Sequence, residues 1–234
     1  MVPHALPLLR GGAAVIKDAR CAFVTGRRGS GKTTLVQQMV ERSRRVVVFD
    51  PLGQYGREFH WPMATNIREL HDFVARFWRD PFRIAYTAPG DFVTELHRLA
   101  LYLWEAMRPY DTGRDRHMLV LVVEEMNLSV PVHKLPATRR GFERLVLQGR
   151  HRGIEIIGVS QRPALVSADF RSSVAETYVL PLGIEDHDAF GRRFRDEVAR
   201  LQPHQWLRFA EGAATRGENR PAWAAGKRGG RRSA

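Results

Sequence analysis

The chain is poor in the features that would anchor it covalently or in a membrane. It has one cysteine, Cys21, so no internal disulfide can form and the fold must hold by packing, as expected in a reducing cytosol. No apolar stretch reaches the roughly 18 residues that a membrane-spanning helix needs. The N-terminal run Val2 to Arg10 is short and broken by Pro3 and Pro7, which argues against a signal peptide. A cytoplasmic protein without a transmembrane segment, at most peripheral to a membrane, is therefore expected. Lysine is scarce, at 4 against 33 arginines, which makes any single arginine weak as a signal and a well-placed lysine conspicuous. The nine histidines show no metal-ligand spacing, and His151 and His187 read as surface or packing residues. There is no internal repeat, no Asn-Lys-x-Asp to read guanine and no Leu-Ser-Gly-Gly-Gln. GTPases and ABC-type ATPases are thereby disfavoured, and 234 residues leave no room for a helicase with two RecA-like halves.

What is present points to one core. The length and 44% hydrophobic content suit a single domain. The expected division is an N-terminal extension over 1–20, a domain over 21–211 and a tail over 212–234. That tail has six basic residues and one acidic one and is expected to be disordered. The net charge of +12 suits a polyanionic partner.

Short apolar runs alternate with segments of helical period, the pattern of an α/β fold with a mostly parallel sheet flanked by helices. Strands are expected over Cys21 to Thr25, Arg45 to Phe49, Arg83 to Tyr86, Met118 to Val123, Ile154 to Val159, Tyr178 to Leu182 and Trp206 to Phe209. Helices are expected over Lys32 to Arg42, from an Asn66 cap through Phe77, over Asp91 to Met107 and around Thr138 to Gly149, with helical character from Ile184 to Leu201.

Between the first strand and the first helix lies Gly-Arg-Arg-Gly-Ser-Gly-Lys-Thr, a complete phosphate-binding loop. Gly26, Gly29 and Gly31 let backbone amides turn inward to phosphate oxygens, with Arg27, Arg28, Ser30 and Thr34 completing the loop. Lys32 is expected on the β- and γ-phosphates, and Thr33 on Mg²⁺. The chain thus reads as a P-loop ATPase with ATP and Mg²⁺ as its ligands. The buried strand Met118 to Val123 ends in Glu124 and Glu125. Glu124 occupies the metal-binding position, one methylene longer than the usual aspartate, and Glu125 is the candidate activator of the attacking water. Gln161 ends a neighbouring strand and can address the γ-phosphate or the water, since an amide both donates and accepts. Arg150 and Arg152 are candidates for an arginine finger.

Taken together, the loop around Lys32, Asp50-Pro-Leu-Gly-Gln-Tyr55, Glu124 with Glu125, Gly149-Arg-His-Arg-Gly153 and Ser160-Gln-Arg-Pro163 resemble the FtsK/HerA superfamily of DNA-pumping ATPases. The resemblance spans about Ala22 to Pro163. It implies a RecA-like core, a catalytic role for Gln161 and a homo-oligomeric ring acting on double-stranded DNA. With about 20 residues before the first strand, the chain is most similar to the minimal genome-packaging ATPases of tailless membrane-containing phages and archaeal viruses. That likeness implies a capsid or portal-vertex protein as partner and a place in the host cytoplasm or at the virion vertex. Assembly ATPases of filamentous phages are the alternative, and a nucleotide-binding module without motor activity is a second. Arg114 and Arg116, and Arg139 and Arg140, are candidates for contacting DNA phosphates in a sequence-independent way.

Overall fold

In the computed structural model, which describes residues 19–220, the apolar runs line up as one sheet. Its strands are β1 (Cys21–Thr25), β2 (Arg45–Phe49), β3 (Met63–Ala64), β4 (Phe82–Tyr86), β5 (Leu119–Val123), β6 (Ile154–Ser160), β7 (Glu176–Val179), β8 (Gln205–Ala210) and β9 (Ala213–Glu218). Their spatial order is β3-β4-β2-β5-β6-β1-β7-β8-β9. The seven strands from β3 to β7 in that order are parallel, and β8 and β9 close the edge antiparallel. Every residue of β2 and β5 is buried, because a parallel sheet is covered on both faces.

The period of two sorts side chains between those faces. Val47, Phe49, Leu119, Leu121 and Val123 face one layer, with α3 (Ile67–Phe77), α4 (Phe92–Ala106), α7 (Gly141–Gln148) and α8 (Ala168–Ser173). Val46, Val48, Val120 and Val122 face the other, where α1 (Lys32–Val40) contributes Leu35, Val36 and Val40 and α2 (Gln54–Phe59) contributes Tyr55. The short helices α5 (Arg108–Asp111), α6 (Met126–Ser129) and α9 (Arg195–Ala199) complete the set. Asn66 does cap α3, accepting from the Glu69 amide at 3.0 Å, and the Asp91 carboxylate caps α4.

The structure departs from the sequence expectation in three places. The strand expected over Tyr178 to Leu182 ends early: the Leu180 amide still donates to Thr25 O at 2.8 Å, but Pro181 has no amide for a ladder, and its carbonyl accepts from Arg27 of the phosphate loop at 2.7 Å. Between Ile184 and Leu201 only 3₁₀ turns and the five-residue α9 form, with Gly191 at φ 93° breaking the run. Lastly, residues 213–218 of the expected disordered tail form β9, paired along its length with β8. Backbone pairing does not depend on side-chain hydrophobicity, so a Gly- and Arg-rich segment can join an edge. The remainder of the expected tail, from 221, and residues 1–18 of the extension expected over 1–20 lie outside the described residues.

Candidate nucleotide site

The parallel strands all end at one edge, and β1 delivers the phosphate loop there. The amide of Gly26 donates to Ser160 O at 3.3 Å and that of Arg27 to Pro181 O at 2.7 Å, tying the loop to the ends of β6 and β7. A Cβ at Gly26 would lie 2.6 Å from Ser30 Oγ and 2.8 Å from Leu180 Cβ, so only glycine fits. Gly31 enters α1 at φ 100°, a backbone that side chains rarely adopt. Lys32 Nζ donates to Gly26 O at 2.8 Å and Arg27 O at 3.1 Å. Burial lowers its pKa, against the pull of Glu124 and Glu125.

β5 delivers the two carboxylates. Glu125 adopts φ 46° and ψ 51°, a left-handed conformation unusual for a residue with a side chain, and it accepts from Gln161 Nε2 at 2.5 Å. The two residues expected to act on the attacking water thus meet across β5 and β6. Gly158, on β6, makes this possible locally: a Cβ there would sit 2.1 Å from Met126 Sδ, and Met126 is the residue after Glu125.

Glu124 is 7% exposed and accepts from the Tyr55 hydroxyl at 2.8 Å. Tyr55 is fully buried, and its amide donates to Asp50 Oδ2 at 2.8 Å. Asp50-Pro-Leu-Gly-Gln-Tyr55 therefore has a structural meaning, which is to place a phenol behind the Glu124 carboxylate. Burial pushes the Glu124 carboxyl up to about 7, opposed by the Tyr55 hydrogen bond and Lys32 and reinforced by Asp50 and Glu125. A metal ion bound at Glu124 would have to displace the proton that this upward shift favours. Hydrolysis is accordingly expected to fall as pH drops through about 7, and higher Mg²⁺ is expected to move the fall to lower pH. Rate profiles at two Mg²⁺ concentrations check this, and a midpoint indifferent to Mg²⁺ would mean that another group titrates.

These side chains surround a hollow of about 600 Å³. Arg28, Gly29, Thr33 and Thr34 line it from the loop, Leu52, Gln54, Arg57 and Glu58 from α2 and its approach, and His204 from the opposite side. The hollow suits a nucleoside triphosphate. Its glycines leave the backbone accessible, Lys32 is within it, and Ser30 Oγ is buried without a protein partner. Thr33 and Glu124 would hold Mg²⁺ together with phosphate oxygens. Among the described residues no group of three or more His, Cys, Asp or Glu side chains forms a cage for a metal on its own.

The arginine candidates fall elsewhere. Arg150 and Arg152 precede β6 and sit at the opposite edge of the sheet from the phosphate loop. Arg152 lies over the Trp104 ring at 4.6 Å and pairs with Asp111 at 3.7 Å, which makes it a packing residue. Arg150 is exposed at that edge, open to a neighbour but out of reach of its own site. The proposed DNA arginines do not share a surface either. Arg114 and Arg116 precede β5 at that same edge, whereas Arg139 pairs with Asp91 at the start of α4, which follows the other end of β4.

Sequence reasoning missed Arg57, His204 and Asn219. Asn219 Nδ2 donates to Gly31 O at 2.9 Å, and the His204 amide donates to Ser30 O at 2.8 Å. Arg220 pairs with Glu41, the residue that caps the C-terminus of α1. The segment expected to be a free tail therefore begins by clasping the phosphate loop and its helix.

Comparison with known proteins agrees with this fold. A family model, the type IV secretion-system coupling protein DNA-binding domain of TrwB type, matches residues 14–78. No protein of curated function gives a significant sequence match. Among solved structures, the chain resembles the genome-packaging NTPase B204 of Sulfolobus turreted icosahedral virus 2, solved in complex with AMP. The TM-score is 0.63 at 16% identity, over 87% of this chain and 98% of B204. VirB4 of Thermoanaerobacter pseudethanolicus matches with a TM-score of 0.54 at 13% identity, over 86% of this chain and 90% of VirB4. ATPases 2 and 3 of EssC from Geobacillus thermodenitrificans match with a TM-score of 0.53 at 11% identity, over 85% of this chain and 39% of that one. At these identities the likeness shows the fold alone, a mostly parallel sheet with flanking helices that matches RecA-like P-loop ATPase structures.

Proposed function

We propose that this protein is an ATP-driven translocase of double-stranded DNA, acting to package a viral genome into a preformed capsid. The observation that carries the hydrolytic half is the contact between Gln161 and Glu125 beside a complete phosphate loop. The DNA half is supported by the coupling-protein DNA-binding family model and by the likeness to B204 over 98% of that chain.

In this reading Lys32 exchanges the Gly26 and Arg27 carbonyls for the β- and γ-phosphates. Glu125 takes a proton from the attacking water, and Gln161 holds Glu125 and the water in line. Bound Mg²⁺, on Thr33 and Glu124, supplies charge neutralisation at the phosphates. Subunits form a ring, and Arg150 of a neighbour is the remaining candidate of the original pair to reach the transferring phosphoryl group. Capsid or portal-vertex proteins dock the ring.

A motor that moves along DNA must hold it through phosphates rather than bases. Binding to double-stranded DNA is therefore expected to be indifferent to sequence. If about six phosphates are neutralised, affinity should fall by about a thousandfold between 50 and 200 mM salt. Fluorescence titration with two unrelated duplexes checks this, and an affinity flat in salt, or one differing between the duplexes, would oppose it.

A further inference from the structure

His204 lines the nucleotide hollow without a part in the phosphate chemistry. His204 comes from the turn that enters β8, whereas Glu125 and Gln161 come from β5 and β6. In the sheet, β1 lies between these two sides. A nucleoside triphosphate whose terminal phosphate lies at Lys32 and Glu125 extends along the loop, away from β5 and β6. A base on that side would meet His204, which lines the hollow.

The turn itself is unusual. The Gln205 amide donates to Gln202 O at 3.0 Å, with Pro203 second and His204 third in the turn at φ 71°. That third position at positive φ normally takes glycine or asparagine. Only four non-glycine residues among those described have positive φ. Two of them, Glu125 and His204, line this hollow. Backbone strain of this kind concentrates where a side chain has to be aimed.

The ring is also held. Asn219 Nδ2 donates to Gly31 O at 2.9 Å and lies 3.2 Å from His204 Nδ1. A carbonyl can only accept, so this nitrogen is the amide NH₂, and Nδ1 of the imidazole accepts from it. The ring proton is then on Nε2, and the ring is fixed against the loop at Gly31, where a Cβ would come within 2.6 Å of Nδ1.

We propose that His204 is a nucleobase contact, its ring stacked on the base and positioned by Asn219. This rests on the reading of the phosphate loop as the ATP site. The test compares Mg²⁺-ATP with Mg²⁺-tripolyphosphate, which has the phosphates but no base, by calorimetric titration of the full chain. His204→Asn and His204→Gly both suit the left-handed turn, so neither should disturb it. In both, ATP affinity should fall by about tenfold, the scale of one base–aromatic stack, while tripolyphosphate affinity stays at the wild-type level. An equal loss for both ligands, or no loss for ATP, would overturn the proposal. Lys32→Ala separates the two readings: it should weaken both ligands, and if it weakens neither, the phosphate-loop reading fails instead.

Discussion

Replacing Glu125 by glutamine should leave Mg²⁺-ATP binding close to wild type and slow hydrolysis by at least about a hundredfold, the scale of losing a general base. The substitution keeps length and shape. Its side-chain oxygen can still accept from Gln161 Nε2, now at 2.5 Å from Glu125 Oε1, so the geometry at φ 46° should persist. What is lost is the capacity to take a proton. Glu124→Gln should behave differently, because Glu124 is buried against Tyr55 at the position for Mg²⁺, and the main effect should be on metal dependence. Single-turnover hydrolysis beside nucleotide titration distinguishes them. If Glu124→Gln proves the more selective lesion of hydrolysis, the two roles are reversed.

Lys32→Ala should abolish measurable hydrolysis and weaken nucleotide binding by about a hundredfold or more. Losing one charge-assisted hydrogen bond of about 3 kcal/mol accounts for that factor. The loss has a second component, since Lys32 is the cation that favours ionisation of Glu124. Without it, Glu124 and Glu125 would face the phosphates with only Arg28 and Arg57 of the hollow's lining as cations. Lys32 is bonded to loop carbonyls only, so the fold should survive and thermal melting should stay near wild type. A variant that melts normally and turns over ATP at the wild-type rate would remove Lys32 from the mechanism.

How much of this was legible beforehand follows from which interactions are local. The phosphate loop was readable because its chemistry demands fixed residues at fixed spacing. β5 was readable because a strand buried on both faces must be continuously apolar, and α4 because its apolar stripe repeats over four turns. Glu125 and Gln161 were each identified, but their contact spans 36 positions and exists only once β5 and β6 pair. The role of Tyr55 required α2, a six-residue helix too short to display a period. Asn219 and Gly31 are 188 positions apart, joined by an edge hairpin whose composition resembles that of a linker. Arg152 misled for the opposite reason. It is near Gln161 in sequence, yet the seven residues of β6, at about 3.3 Å each, carry it to the far edge of the sheet, where it packs on Trp104.

Exposed charge was the least informative class. With 33 arginines, those singled out for DNA were dispersed over two edges, and several arginines are consumed within the fold. Arg45 is 1% exposed, pairs with Asp115 at 2.7 Å and lies over Trp78 at 3.9 Å. The Asp115 carboxyl, despite the upward push of burial, is held at about 2 by the His117 amide and Arg45. Such residues pin the strand ends opposite the site and leave fewer cations for a partner than the count of 33 arginines suggests.

The most direct test of the account is the steady-state rate of ATP hydrolysis by the full chain, measured with and without long double-stranded DNA of unrelated sequences. The account predicts Mg²⁺-dependent hydrolysis that rises on adding duplex of any sequence. Hydrolysis that is absent under both conditions, or unchanged by DNA at low salt, would contradict it.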